Sequence, residues 1–366
     1  MMNFKGLHVS ILTLLVLMSC IPVAAQSRTV AVTFDDLPVT ATKDLAEAQS
    51  VNRALLGALK KHHVPAIGFV NEKTVGDLGS DNGKRILEQW VREGFDLGNH
   101  TFSHADLNNM TLEQFKQEVV TGESIFRPML TEVGKTPRYL RFPYNHTGDT
   151  KEKHESVALF LKQRGYQVAA CTIDNEDYLF NVAYIQMLAK KDDASAAKLR
   201  AEYLAYTAVE INYYASLHKQ VFGREIPQVI LLHANRLNAD VIDKILGILE
   251  EKQYRFVSLE AAQSDPAYRV PDTFVTKSGP MWGYRWAKEL DIKVDGSLET
   301  EPPAWVPQYG KEPAKQLFAA RAPAYISSEK WRSQKIHNID IPFALPGARS
   351  SSFGHDHREC RLEVRQ

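Results

Sequence analysis

Between residues 28 and 260, short apolar runs alternate with stretches in which apolar positions recur every three or four residues. Thr29–Phe34 is β-branched and apolar, so it reads as a strand. In the stretch 44–62, Leu45, Ala48, Val51, Leu55, Ala58 and Leu59 share one helical face. Val64–Val70, Phe95–Gly98, Arg138–Phe142, Tyr166–Thr172, Gln228–His233 and 255–258 repeat the strand pattern, and Gly83–Glu93, 151–164 and 239–252 the helical one. Thr111-Leu112-Glu113-Gln114 has the spacing of a capping box and opens a helix expected to run to about Leu130. Alternation of this kind requires parallel strands joined by crossover helices, hence an α/β sheet or barrel. Residues 179–226 break the rhythm. They are rich in Ala, Lys, Glu and Tyr with no strand signal, and read as a helical insertion. Such an insertion serves either as a wall or lid over a site or as a surface hairpin with no part in chemistry.

Composition narrows the class without changing this picture. The chain has 366 residues, 44% of them hydrophobic, with 44 Lys+Arg against 44 Asp+Glu. The core can therefore be large, and the neutral balance gives no electrostatic reason to expect nucleic acid as a partner. Three cysteines cannot build a disulfide scaffold. Cys171 and Cys360 could pair in an oxidising compartment; the alternative is one thiol buried beside a strand and one in a tail.

Chemistry-bearing residues gather at the ends of expected strands, where α/β folds place their sites. Asp35-Asp36 ends the first. His100 and His104 follow the third, and a four-residue spacing would bring both imidazoles to one side of a helical turn. Two adjacent carboxylates repel unless a cation or proton neutralises one. A site of Asp and two His with a free neighbouring Asp removes that repulsion and leaves coordination positions open.

Thr33-Phe34-Asp35-Asp36, His100-Thr101-Phe102-Ser103-His104, Arg141-Phe142-Pro143-Tyr144, Ile173-Asp174-Asn175-Glu176-Asp177-Tyr178 and Leu231-Leu232-His233 occur in that order. Together they resemble the five motifs of the polysaccharide deacetylase family, the metal-dependent deacetylases of chitin, peptidoglycan and xylan, over roughly residues 28–260. The resemblance implies a distorted (β/α) barrel with parallel strands and a helical insertion. It implies Asp35 as general base, with Asp36, His100 and His104 as ligands of a divalent metal, Zn²⁺ in the first place, with Co²⁺ or Ni²⁺ suited to the same set. The Tyr144 backbone N–H would receive the oxyanion, and His233 would protonate the leaving group. Leu231 and Tyr178 would line an acetyl pocket, and Arg141 and Asp177 would position the base and the acid. The implied activity is removal of N- or O-linked acetyl groups from an acetylated glycan. A small-molecule amide hydrolase on the same fold and a catalytically silent carbohydrate-binding module are the alternatives. No His-Glu-x-x-His occurs, which sets a zinc peptidase aside. The chain departs from the family at Leu37-Pro38, where glycine is usual, at Tyr178, where tryptophan is usual, and in the length of 179–226.

The ends have their own character. Residues 1–26 read as an export signal, with Lys5, an apolar stretch Val9–Met18 and a Val23-Ala24-Ala25 cleavage site, so a periplasmic or extracellular location is expected. Leu17-Met18-Ser19-Cys20 also resembles a lipobox, which would anchor Cys20 to lipid; the Ala-Ala-Gln site is preferred. No other segment is long and apolar enough to span a bilayer. The expected organisation is a signal at 1–26, a catalytic domain at 27–265, an extension packed on the barrel at 266–310 and a poorly ordered tail at 311–366. His355 and His357 lie in that tail and are read as solvated, since no third ligand is near. The aromatic segment Ser278–Trp286 would either extend a glycan cleft or pack against the barrel.

Overall fold

The computed structural model describes residues 28–311. The signal segment, Cys20, Cys360, the His355/His357 pair and residues 312–366 lie outside the described residues.

The strands are β1 (Thr29–Leu37), β2 (Ile67–Val70), β3 (Asp96–Asn99), β4 (Tyr139–Leu140), β5 (Gln167–Val168), β6 (Gln228–His233) and β7 (Arg255–Phe256). They pair in parallel in the order β5-β4-β3-β2-β1-β6, with β7 beside the start of β1. The chain leaving β5 closes the ring. Ala169 N donates to Leu140 O at 2.8 Å on the β4 side, whereas Thr172 N donates to Val229 O at 2.9 Å on the β6 side. Leu231 N donates to Ile173 O at 3.0 Å, and Ile173 bridges Ile230. One short segment thus touches both edges, which makes the expected barrel and also its distortion.

Alternation along β1 decides what lies inside. Val30, Val32 and Phe34 face the main core beneath the helices, while Ala31 joins Ile67, Phe69, Tyr139, Ala169 and Val229 in a second cluster filling the barrel. Thr33 and Asp35 share the face of Ala31, so strand periodicity carries Asp35 to the inner rim.

The helices are α1 (Leu45–Lys61), α2 (Glu72–Asp77), α3 (Ser80–Arg92), α4 (Leu112–Thr121), α5 (Phe126–Glu132), α6 (Lys151–Gln163), α7 (Asp177–Ala189), α8 (Asp193–Phe222), α9 (Arg236–Glu251), α10 (Leu259–Gln263), α11 (Trp282–Glu289) and α12 (Trp305–Lys311). α10 contributes Leu259 and Ala262 to the inner cluster and so seals the end of the barrel where β1 begins. The single helix expected from Thr111 to Leu130 is two, α4 and α5. The capping box does form at Thr111, with Gln114 returning the bond. The chain then bends at Gly122, whose Cβ, were there one, would lie 2.6 Å from Phe102 N. α2 was not anticipated, its six residues being too short to show a period.

The insertion is α7 and α8, and it is packed into the molecule rather than hung on its surface. Phe180 of α7 meets Tyr203 and Tyr206 of α8 at ring separations of 5.1 and 5.4 Å, and α7 in turn packs on α9. The aromatic segment of α11 is likewise interior. Trp282, Tyr284 and Trp286 are buried, and Trp286 meets His218, Phe222 and Tyr268 edge-on. These rings are thus packed inside the protein, against α8 and Tyr268. Among the described residues no helix is long and apolar enough to cross a membrane.

Candidate functional site

β1 ends in a bulge. Phe34 pairs with Gly68 but Leu37 with Val70, so one extra residue is accommodated at Asp35–Asp36, and Asp36 takes φ 64°. In a regular strand, neighbours point to opposite faces. The bulge re-aims Asp36, so both carboxylates approach the same end of the barrel. Leu37, where a glycine was noted as usual, is fully buried as the last residue of β1.

His100 and His104 leave β3 on a loop, not on the helical turn their spacing suggested. Thr101 (φ 64°) and His104 (φ 57°) are left-handed, and these reversals turn the imidazoles together, with ring centres 4.9 Å apart. The loop is held on several sides. Asn99 Oδ1 accepts from Thr101 N at 2.8 Å, Asn71 Nδ2 donates to His100 O at 2.6 Å, and Glu118 accepts from both N and Oγ of Ser103. Asn99 stands out in the sequence only as the strand-end neighbour of His100, and Asn71 and Glu118 do not stand out at all, because an isolated amide and a helix-surface carboxylate carry no spacing signal.

Asp36, His100 and His104 each present one ligand atom, and these atoms lie within 4.8 Å of one another. Asp36 Oδ1 is 3.6 Å from His100 Nε2 and 3.7 Å from His104 Nε2. That oxygen is buried without a hydrogen-bond partner. His100 Nδ1 is occupied by the Arg141 carbonyl at 2.8 Å, which turns Nε2 toward the group. Burial lowers the His104 imidazole to about 4, leaving it neutral and able to donate a lone pair at neutral pH. Burial alone would raise Asp36, but His104, His100 and His233 hold it below the usual carboxylate range. An orphaned buried carboxylate oxygen facing two imidazole nitrogens fits a divalent cation of the zinc type.

Asp35 lies beside this group, with Oδ2 3.7 Å from His100 Nε2. Fully buried Arg141 donates to it through Nη1 at 3.2 and 3.4 Å, to Ala169 O through Nε at 2.9 Å and to Thr33 Oγ1 through Nη2 at 3.1 Å. Register sets Asp35 directly opposite His233 at the end of β6. His233 Nδ1 and N bond the two Asp177 oxygens at 2.6 and 2.7 Å, and Asn235 and Asn238 also donate to Asp177. Burial disfavours the His233 imidazolium, yet Asp177 outweighs it and raises the group to about 10.

The remaining candidates gather around the same end. The Tyr144 ring lies 4.6 Å from that of His104, with Tyr144 and Asn145 both left-handed at φ 58° and 53°. The Tyr178 ring is 6.3 Å from that of His233. Leu231 precedes His233 by two on β6 and so shares its face. Left-handed non-glycine residues thus concentrate here, at Asp36, Thr101, His104, Tyr144 and Asn145, and such conformations persist where the surroundings over-determine them. Cys171 is fully buried, with its thiol 3.4 Å from Asn145 Oδ1, and burial pushes that thiol's pKa up.

Residues 23–169 match the polysaccharide deacetylase family model. A chitin deacetylase of Arthroderma benhamiae is 30% identical over 150 residues, covering 41% of this chain and 35% of that protein. A peptidoglycan-N-acetylglucosamine deacetylase of Bacillus cereus is 25% identical over 238 residues, covering 63% of this chain and 66% of its own. A chitin deacetylase of Colletotrichum lindemuthianum is 25% identical over 245 residues, covering 66% and 81%. The chain spans between about a third and two thirds of the length of the first curated relatives it matches.

Proposed function

From the premise that this chain is related to the polysaccharide deacetylases, matching their family model over residues 23–169, we propose that it is a metal-dependent hydrolase removing acetyl groups from a polysaccharide or oligosaccharide. The observation that carries the proposal is the convergence of Asp36, His100 and His104, with Asp35 and His233 beside them, each held by its own buried partner.

In this reading Asp36, His100 and His104 hold the cation. When bound, such a cation polarises the acetyl carbonyl and lowers the pKa of water from 15.7 toward ~7. Asp35 takes a proton from the attacking water, and Arg141 fixes the direction of its carboxylate. The Tyr144 N–H donates to the developing oxyanion; one such donor is typically worth ~2.7–4 kcal/mol. His233, kept protonated by Asp177, gives its proton to the departing amine or alkoxide. Leu231 and Tyr178 flank the acetyl methyl. Export directed by residues 1–26 belongs to the same proposal, since cell-wall glycans lie outside the membrane.

Acetate release from chitin oligomers, peptidoglycan and acetylated xylan, with zinc added, tests this. Asp35→Asn is expected to bind zinc as the wild type does and to lose about 10²–10⁴-fold in turnover, the usual contribution of a general base. Undiminished turnover in that variant removes Asp35 from its role. Glycan binding with no acetate release from the wild type favours the silent binding module instead.

A further inference from the structure

The segment that shapes the Tyr144 loop from behind comes from the C-terminal extension, beyond the residues that match the family model. Arg285 of α11 is 2% exposed, and its guanidinium is spread over that loop. Nη2 donates to Asn145 O at 2.6 Å and Nη1 to Thr147 Oγ1 at 2.8 Å. The same guanidinium is anchored by Pro280 O, 2.9 Å from Nε, and by Asp272 Oδ2, 2.8 Å from Nη1, and it lies 4.5 Å over the Trp282 ring. His154 closes the circuit, with Nδ1 2.9 Å from Thr147 O and Nε2 2.6 Å from Asp272 O. Gly279 presses on the loop so closely that a Cβ there would sit 1.8 Å from Tyr144 O.

We propose that Arg285 is a positioning residue for the reaction: by holding Asn145 O and Thr147 Oγ1 it clamps the left-handed course of Tyr144 and Asn145 that brings Tyr144 beside His104. Tyr144 and Asn145 are not glycines, so their φ of 58° and 53° is held by neighbours rather than by intrinsic preference. The two acceptors that Arg285 takes on the loop flank His146, directly after those residues. A planar fork with several donors in fixed directions can bond them and the extension together, whereas an ammonium cannot. The extension is thereby a working part of the site. The kinetic side of this inference rests on the deacetylase reading; the structural side does not.

The test uses the full chain with Arg285→Lys, which keeps the charge and loses the fork. On a chitin oligomer kcat is expected to fall about 10–100-fold with KM within about twofold, because a displaced donor weakens the transition state more than the ground state. Zinc titration of the protein should stay within about twofold of wild type, while amide hydrogen exchange over 143–148 accelerates. Wild-type kcat with unchanged exchange over 143–148 overturns the proposal. So does a loss of zinc affinity and of protection throughout the barrel in step with kcat, which would make Arg285 a general core residue. Where Arg285→Lys fails to fold, Thr147→Val, which removes one acceptor and leaves Arg285 in place, is read by the same measurements. If the wild type releases no acetate, the deacetylase reading falls, and exchange over 143–148 alone decides the clamp.

Discussion

Asn52 braces the chain next to the site without touching any candidate site residue. Its Nδ2 donates to Pro38 O at 2.6 Å and Ala48 O at 2.8 Å, and its Oδ1 accepts from Trp90 Nε1 at 2.8 Å. The chain just past Asp36 is thus tied to α1 and α3 through one buried amide. Asn52→Ala leaves an indole N–H and a carbonyl buried without that partner, and the expected loss is about 1–3 kcal/mol of unfolding free energy by urea titration. At this scale the sequence disclosed identities but not directions. Asp35, Asp36, His100, His104 and His233 could be picked out because their types and their places after strands are unusual together. The bulge at Asp36 and the reversed φ at Thr101 and Tyr144 could not, since these residues are not glycine and advertise no left-handed backbone. Arg285 and Asn52 were hidden for another reason: each acts in part through backbone carbonyls, which have no residue type, and otherwise through side chains far away in the sequence.

Between α1 and α9 a single imidazole bridges two acids. His62, just past the end of α1, meets Glu250 through Nδ1 and Asp243 through Nε2, both at 3.0 Å. Burial pushes the imidazole down, but these two hydrogen bonds and charges prevail and raise it above its ordinary 6.5. A group whose folded value is raised contributes fully below the unfolded value and loses that contribution as pH climbs through the folded one. The stability gap between wild type and His62→Ala should therefore be wider at pH 6 than at pH 9. An equal gap at both would mean the bridge contributes through packing alone. Long periodic helices such as α1, α6 and α9 were legible because an apolar stripe must be buried. The strands were harder. Gln228–His233 matched its apolar run, whereas Tyr166–Thr172 is paired as a ladder only at Gln167–Val168 because the rest crosses from β4 toward β6. The insertion showed its helices but not its contact with the site, which runs through Tyr203. Its hydroxyl donates to Asn238 Oδ1 at 2.7 Å, and Asn238 donates to Asp177.

Across the whole molecule, the proposed metal ligands come from two separate elements, the β1 bulge and the loop after β3, and meet only once the barrel has formed. The unfolded chain offers two histidines on a short stretch but no carboxylate fixed beside them, so zinc should bind the folded state preferentially. Preferential binding stabilises by mass action, by about 2.7 kcal/mol when free zinc is a hundredfold above its dissociation constant. Protein stripped with a chelator should accordingly melt at a lower temperature than protein with zinc restored, and the difference should grow with zinc concentration. Asp36→Ala should abolish that rise, because it removes the orphaned oxygen facing both imidazoles. Asp35→Asn should keep it, since Asp35 is tied to Arg141 and is not among the three grouped ligands. The two variants separate holding the cation from using it. A thermal shift in Asp36→Ala equal to the wild type's would mean that zinc acts elsewhere on the chain.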